Sequence, residues 1–287
     1  MTSLQLTRFT RVEDFFPAAE PFLAAHEAEN NLLLGICGTL LKRPAASAEP
    51  LYFALVRSGD ETVAAALRTP PHNVVLSHIP GEAVATDAIA RLAGDLRAAY
   101  GTLPGVLGPT ALSRAFAEEW TRLVGGRYAI GMRQRIYRLD TVQPPVGISG
   151  RLRRAAADDH ALLARWLTAF HDEADPDAPL DAEAMVAQNL DSPVRALYLW
   201  EDPDPVCLVG FGGPTPNGAR VGPVYTPPEY RRRGYASAAT AALSKLLLDV
   251  GRRFCFLFTD LANPTSNRIY QAIGYRPVSD VDVYRFI

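Results

Sequence analysis

The run Val224-Tyr-Thr-Pro-Pro-Glu-Tyr-Arg-Arg-Arg-Gly-Tyr-Ala236 holds residue types able to bind an anion. A β-like segment ends near Tyr225, two prolines stop it, and a helical pattern opens near Gly234. Such a strand-loop-helix junction leaves backbone N–H groups unpaired and pointing one way, and the positive end of the helix dipole adds to them. A pyrophosphate suits that environment. Gly234 lets the backbone approach where a side chain would collide, and Arg231, Arg232 and Arg233 add positive charge at the rim. Three arginines alone read as a solvated basic run; the adjoining helix start gives them a use. No Gly-Lys-Ser/Thr follows, which excludes a P-loop. The nearby Gly210-Phe-Gly212-Gly213 lacks the third glycine and the helix of a dinucleotide fingerprint.

A second cluster is Asn263-Pro-Thr-Ser-Asn-Arg-Ile-Tyr-Gln-Ala-Ile-Gly-Tyr275. Asn263 suits an N-cap, Pro264 the first helical position, and Gly274 the residue past the end. Asn263, Asn267 and Tyr270, offset by four and then three, share one helix face. Ile269 and Ile273 mark the core side. Tyr270 alone is more often a packed aromatic than a catalyst; its place in this pattern makes it a candidate.

These two clusters need elements to hold them. The second half reads as strand, helix, helix, three strands, helix, strand, helix and two strands. Leu162, Leu163, Trp166, Leu167 and Phe170 give helical spacing between Asp158 and Glu173, and a second helix runs from about Asp181 to Leu190. Strands follow at Val194–Glu201, Val206–Gly212 and Arg220–Tyr225. Ala239, Ala242, Leu243, Leu246, Leu247 and Val250 stripe a long helix that stops at Gly251, and Phe254–Thr259 has the dense apolar character of a strand buried on both faces. The first half follows a similar order. Helical segments lie between Pro17 and Leu41, strands at Leu51–Val56, Thr62–Leu67 and Asn73–His78, helices at Val84–Tyr100 and around Leu112–Leu123, and two strands within Arg127–Leu139. Two prolines and a glycine in TVQPPVGIS mark the boundary. The expected division is 1–140, a linker at 141–148, and 149–287.

The bulk properties exclude several classes. With 287 residues, 48% hydrophobic and 21% charged, the chain is an ordinary globular α/β protein of one large or two average domains. A net charge of -2 and a pI of 6.2 give no overall field to recruit nucleic acid or an anionic membrane. Cys37, Cys207 and Cys255 are too scattered for a disulfide framework or a zinc site. A reduced cytoplasmic setting is expected, with no metal. No signal peptide or membrane span is read in the sequence.

Arg231-x-x-Gly234-x-Ala236 resembles the coenzyme A pyrophosphate motif of GNAT-superfamily N-acetyltransferases, whose pattern is Gln/Arg-x-x-Gly-x-Gly/Ala. Asn263 to Tyr275 resembles that family's later Asn…Tyr…Gly-Phe/Tyr segment. The resemblance covers Ile148 to Ile287, and each motif falls on the expected element. It implies an α/β mixed-sheet acyl-coenzyme A-binding fold in the C-terminal half, in tandem with a degenerate GNAT-like or scaffold N-terminal half. It implies acetyl-coenzyme A as co-substrate, with the pyrophosphate on the amides of Arg232, Arg233, Gly234, Tyr235 and Ala236, with Arg231, Arg232 and Arg233 reaching the phosphates, and with Ser237 also beside the cofactor. The pantetheine would lie by Tyr225 and the splayed strands, and Val224 would offer its amide to the thioester carbonyl. Asn263, Ser266 and Asn267 would line the cofactor, and Tyr270 would protonate the leaving thiolate. In the first half the equivalent junction reads Leu76-Ser-His-Ile-Pro-Gly-Glu-Ala83, without arginine and with Glu82 set to repel phosphate. It lacks the motif.

An amine acceptor must lose a proton, and Glu173, Asp172, His171 and Glu229 are candidate bases, with Glu173 taken first. Spacing singles out none of them. Five acids, Asp172, Glu173, Asp175, Asp177 and Asp181, fall between the first two helices of the second half. They read either as a solvated acidic loop or as a rim favouring a cationic small-molecule or peptide amine. The assembly is expected to be a monomer or homodimer. A non-catalytic acyl-coenzyme A sensor is the alternative from another class. An aminoacyl-tRNA-dependent transferase is opposed by the acidic balance and the intact motif.

Overall fold

The computed structural model describes residues 4–43, 49–176, 179–192 and 194–287. They form two compact units. One comprises Met1–Ile136, Asp260–Ala262 and Val278–Ile287; the other comprises Tyr137–Thr259 and Asn263–Pro277. The change of unit at Ile136 lies a few residues before the linker read from the sequence, and the last ten residues pack with the first unit.

The first unit begins with strand β1 (Leu4–Phe9), followed by α1 (Val12–Ala25), α2 (Asn31–Leu40), β2 (Tyr52–Ser58), β3 (Glu61–Arg68), β4 (Val74–Leu76), α3 (Glu82–Tyr100), β5 (Gly105–Pro109), α4 (Thr110–Val124) and β6 (Tyr128–Leu139). In β2, Tyr52, Ala54 and Val56 face the α3–α4 core while Phe53 and Leu55 face the α1–α2 core. A strand covered on both faces must be apolar throughout, and this one is. Three expectations differ here. The sequence reading missed β1, an edge strand whose six residues include one buried side chain, Leu4. Helix α1 begins before Pro17 and continues through Pro21, because Val12, Phe15, Ala19 and Leu23 bury one continuous stripe that outweighs the lost backbone bonds. The two strands expected within Arg127–Leu139 are one strand of 12 residues.

The rest of the chain runs β7 (Arg151–Arg154), α5 (His160–Ala174), α6 (Ala182–Leu190), β8 (Ala196–Glu201), β9 (Pro205–Gly212), β10 (Gly218–Tyr225), α7 (Tyr235–Asp249), β11 (Phe254–Asp260), α8 (Pro264–Ala272) and β12 (Arg276–Phe286), most of β12 belonging to the first unit. The two strands expected at the C-terminus are therefore one, and its Val281–Arg285 pair antiparallel with β5 in the first unit's sheet. Within the second unit neighbouring strands follow the order β11-β10-β9-β8-β7, antiparallel except for the parallel pair β10–β11. One face packs on α7 and α8 through Cys207, Val209, Ala219 and Val221; the other packs on α5 and α6 through Leu197, Leu199, Leu208 and Tyr225. Element order is the same in both halves of the sequence: strand, two helices, three strands, helix, strand, helix, strand. The duplication shows in topology although no sequence repeat is visible.

Candidate functional site

After Tyr225 the chain makes a single 3-10 turn at Pro228–Tyr230, where proline fixes the backbone, and then enters α7. Arg231 is extended at φ -67° and ψ 160°, Arg232 is left-handed at φ 64°, and Gly234 is left-handed at φ 82° and ψ 1°. Changes of handedness between successive residues turn neighbouring N–H groups into one concavity, an anion nest. Helix α7 has no side-chain cap, so its first-turn amides at Tyr235, Ala236 and Ser237 have no helical partner. Gly234 is required twice over: its φ disfavours any side chain, and a Cβ there would lie 2.6 Å from Ile148 Cδ1. Arg232 is the one non-glycine residue with positive φ among the described residues, so strain sits where the sequence placed the phosphates.

The three arginines separate. The Arg231 Nε donates to the Thr226 carbonyl at 2.9 Å, and its Nη2 donates to both Glu173 oxygens at 2.6 and 2.8 Å. Arg232 and Arg233 are exposed, with Arg233 against the Tyr230 ring. The Tyr235 side chain turns inward, its hydroxyl donating to Asp202 Oδ2 at 2.6 Å, where Ser149 Oγ also donates at 2.5 Å. Trp200 Nε1 donates to the Ser149 carbonyl at 2.9 Å, so this web pins the start of α7 to the β8–β9 turn. What Tyr235 can offer an anion is its backbone amide.

Parallel pairing of β10 with β11 covers Gly218, Ala219 and Arg220 against Phe254, Cys255 and Phe256. Val224 and Tyr225 lie beyond that register. On the β9 side the pairing shifts between Val221 and Val224, a bulge that re-aims the strand.

Tyr270 projects from α8 into the core under β9 and β10, 9% exposed. Burial, together with the nearby Cys207 thiol, pushes its phenol up to about 12, against a small opposing effect of Ser266. Thr226 Oγ1 donates to Cys207 Sγ at 3.3 Å. Sequence reasoning missed Cys207 and Thr226 because neither carries a local motif; only the β9–β10 register brings them toward Tyr270. Asn263 Oδ1 accepts from the Ser266 amide at 3.0 Å, the expected N-cap. Asn267 Nδ2 donates to the Asn263 carbonyl at 2.7 Å and its Oδ1 accepts from Tyr137 Oη at 3.0 Å. Both asparagine side chains thus hold α8 in place. Tyr275 is sealed in the core, its hydroxyl 2.8 Å from Ser244 Oγ.

Glu173 is half-exposed on the last turn of α5, paired with Arg231 and brought to Arg231 rather than to Tyr270. Asp172 and Glu229 are exposed and His171 is partly exposed. Asp181 caps α6, accepting from the Ala184 amide at 2.9 Å. Asp177 and the Glu82 side chain lie outside the described residues.

The equivalent junction of the first unit is closed. His78 N–H donates to Asn30 Oδ1 at 2.8 Å, and fully buried Asn30 also donates to the Leu23 carbonyl at 3.2 Å. Ser77 exchanges two bonds of 2.9 Å with the Ala65 backbone. Gly81, at φ 101°, joins that segment directly to α3 without an arginine-rich turn.

The sequence of 160–275 matches the acetyltransferase (GNAT) family. Residues 160–275 form a GNAT-family domain. Nest, splayed strands and Tyr270 all lie within it. No curated protein matches the chain. Solved structures extend the GNAT fold over both units. A Drosophila protein aligns over 98% of each chain at 13% identity with a TM-score of 0.70. A GCN5-related N-acetyltransferase from Sphaerobacter thermophilus covers 98% of this chain and 95% of its own at 17% identity, TM-score 0.61. A tandem GNAT protein from the clavulanic acid biosynthesis pathway covers 98% and 97% at 13% identity, TM-score 0.60. These likenesses are of fold, and the tandem GNAT arrangement is the architecture described above. Among the described residues there is no cluster suited to a metal ion, and no helix long and apolar enough to cross a membrane.

Proposed function

We propose that the second unit transfers an acetyl group from acetyl-coenzyme A to a primary amine of a small molecule or peptide. The observation that carries this reading is the nest at Arg232–Gly234 opening onto the uncapped first turn of α7. Amides from Arg232 to Ser237 would receive the pyrophosphate, with Arg232 and Arg233 as the nearby cations. The thioester would reach the parted ends of β10 and β11, where the Val224 amide is the candidate donor to its carbonyl. A fixed donor there stabilises the negative charge that builds as the amine attacks. The C–N bond forms, the C–S bond breaks, and Tyr270 hydrogen-bonds the departing sulfur. Glu173 can accept the amine proton, directly or through water, once it leaves Arg231. Three buried free cysteines fit a reducing cytoplasmic compartment.

Calorimetry of the full chain with acetyl-coenzyme A, followed by thiol release against a panel of primary amines, tests the proposal. Saturable binding and amine-dependent release support it, and no association at millimolar ligand defeats it. One observation favours the alternative of a non-catalytic acyl-coenzyme A sensor: both oxygens of the first-choice base are held by Arg231. That reading requires binding without turnover and indifference to Tyr270→Phe.

A further inference from the structure

Arg220 is part-buried, with one nitrogen of its guanidinium enclosed. Its Nη1 is sealed from solvent and has no hydrogen-bond partner. Burial and the positive charge of Arg195 together lower its pKa to about 10, and no carboxylate opposes them. Buried guanidinium groups are ordinarily paired, because an uncompensated charge in a low-dielectric site is costly.

The surroundings are shaped to keep it there. Arg220 lies opposite Gly212 on β9 and opposite Phe256 on β11. Its guanidinium carbon stands 6.0 Å from the Phe258 ring centre. A Cβ on Gly212 would come within 3.3 Å of Arg195 Cβ, and one on Gly218 would collide with the Phe256 ring. Two glycines therefore leave room for the arginines and phenylalanines of this patch.

Position on the sheet separates Arg220 from the phosphates. Its neighbours Ala219 and Val221 face α7, and alternation puts Arg220 on the opposite face. Helix α7 and its nest lie on the first face. Arg220 is thus not a coenzyme A phosphate ligand, and it marks the closed end of the gap that Val224 borders further along the same strand.

We infer that Arg220 binds a carboxylate of the acceptor, so that the substrate class is an amino carboxylate; this rests on the transfer reading above. A carboxylate is planar and singly charged, and it matches the guanidinium fork. The four residue steps from Arg220 to Val224 span at most about 13 Å of strand, so several bonds separate amine from carboxylate, with the spacer against Phe258.

The test compares 6-aminohexanoate with 6-aminohexanamide as acceptors for the full chain, alongside calorimetry of 6-aminohexanoate on the coenzyme A-loaded protein. The expected result is at least a tenfold preference in kcat/KM for the carboxylate, collapsing to within twofold in Arg220→Gln and Arg220→Met. Binding of 6-aminohexanoate is lost in both variants, and their melting temperatures equal or exceed that of the unsubstituted protein. Equal use of the two acceptors, or a preference that survives both substitutions, overturns the inference while leaving amine acetylation standing. Arg220-dependent binding without turnover of either compound keeps the carboxylate site and rejects the transfer reading. Absence of both binding and preference rejects the site.

Discussion

Replacing Tyr270 by Phe removes one hydroxyl and leaves the ring that packs 6.1 Å from Tyr275. Burial holds the phenol at about 12, whereas a free thiol titrates near 8.5, so complete proton transfer to sulfur is uphill by about 5 kcal/mol. A hydrogen bond to a charged group contributes about 1.5–3 kcal/mol. The smaller term is the one Tyr270 can deliver, as a donor to the sulfur as charge develops. Tyr270→Phe should therefore lower kcat by about 10- to 150-fold, since each 1.36 kcal/mol is a factor of ten. The KM for acetyl-coenzyme A should hardly move. Because the folded-state pKa is raised, the phenol stays protonated through pH 10, and its contribution to stability is lost only as the pH rises from about 10 toward 12. Rates of thiol release for both proteins between pH 6 and 10 check this, and the unsubstituted protein should show no alkaline decline. A variant within twofold of the parent refutes the role. So does an alkaline limb near pH 8–9 that vanishes with the hydroxyl, because it would mean that Tyr270 titrates in the working range.

Arg232→Gly should stabilise the fold by about 0.5–1 kcal/mol, the left-handed cost relieved less the extra freedom of glycine when unfolded; a lower urea midpoint contradicts the nest geometry. Arg153 pairs with Asp159 at 2.6 Å and with Glu201, and holds both carboxyls below their ordinary range. Depressed carboxylates stabilise above their unfolded pKa and lose that contribution as the pH falls, so Arg153→Gln should cost about 1–2 kcal/mol at pH 7 and progressively less as the pH falls below the ordinary carboxylate range. A difference that persists unchanged to pH 3 would show that packing, not charge, is responsible. Cys37, Cys207 and Cys255 are each pushed up to about 12 by burial, so iodoacetamide at pH 8 should label none in native protein and all three in guanidinium. Rapid native labelling of Cys207 would place it on the surface rather than beneath Tyr270.

Sequence alone determined the features whose physics is local. Proline after a strand, glycine before a helix and asparagine as an N-cap act within a few residues, so the Val224–Ala236 junction and the start of α8 were legible, as was most of the element order. The short edge strand β1 was not, because only Leu4 of its six residues is buried and its register is set by pairing with β2. Nor was the fate of the last residues: β12 takes its register from β5, far back in the chain. Charge partnerships were hidden for the same reason. Arg231 and Glu173 are 58 residues apart and meet only through the packing of α5 against β10. Arg220 reads in the sequence as one more polar residue opening a strand. Only the folded sheet, by fixing which face it occupies and what lies across from it, encloses one of its guanidinium nitrogens without a hydrogen-bond partner.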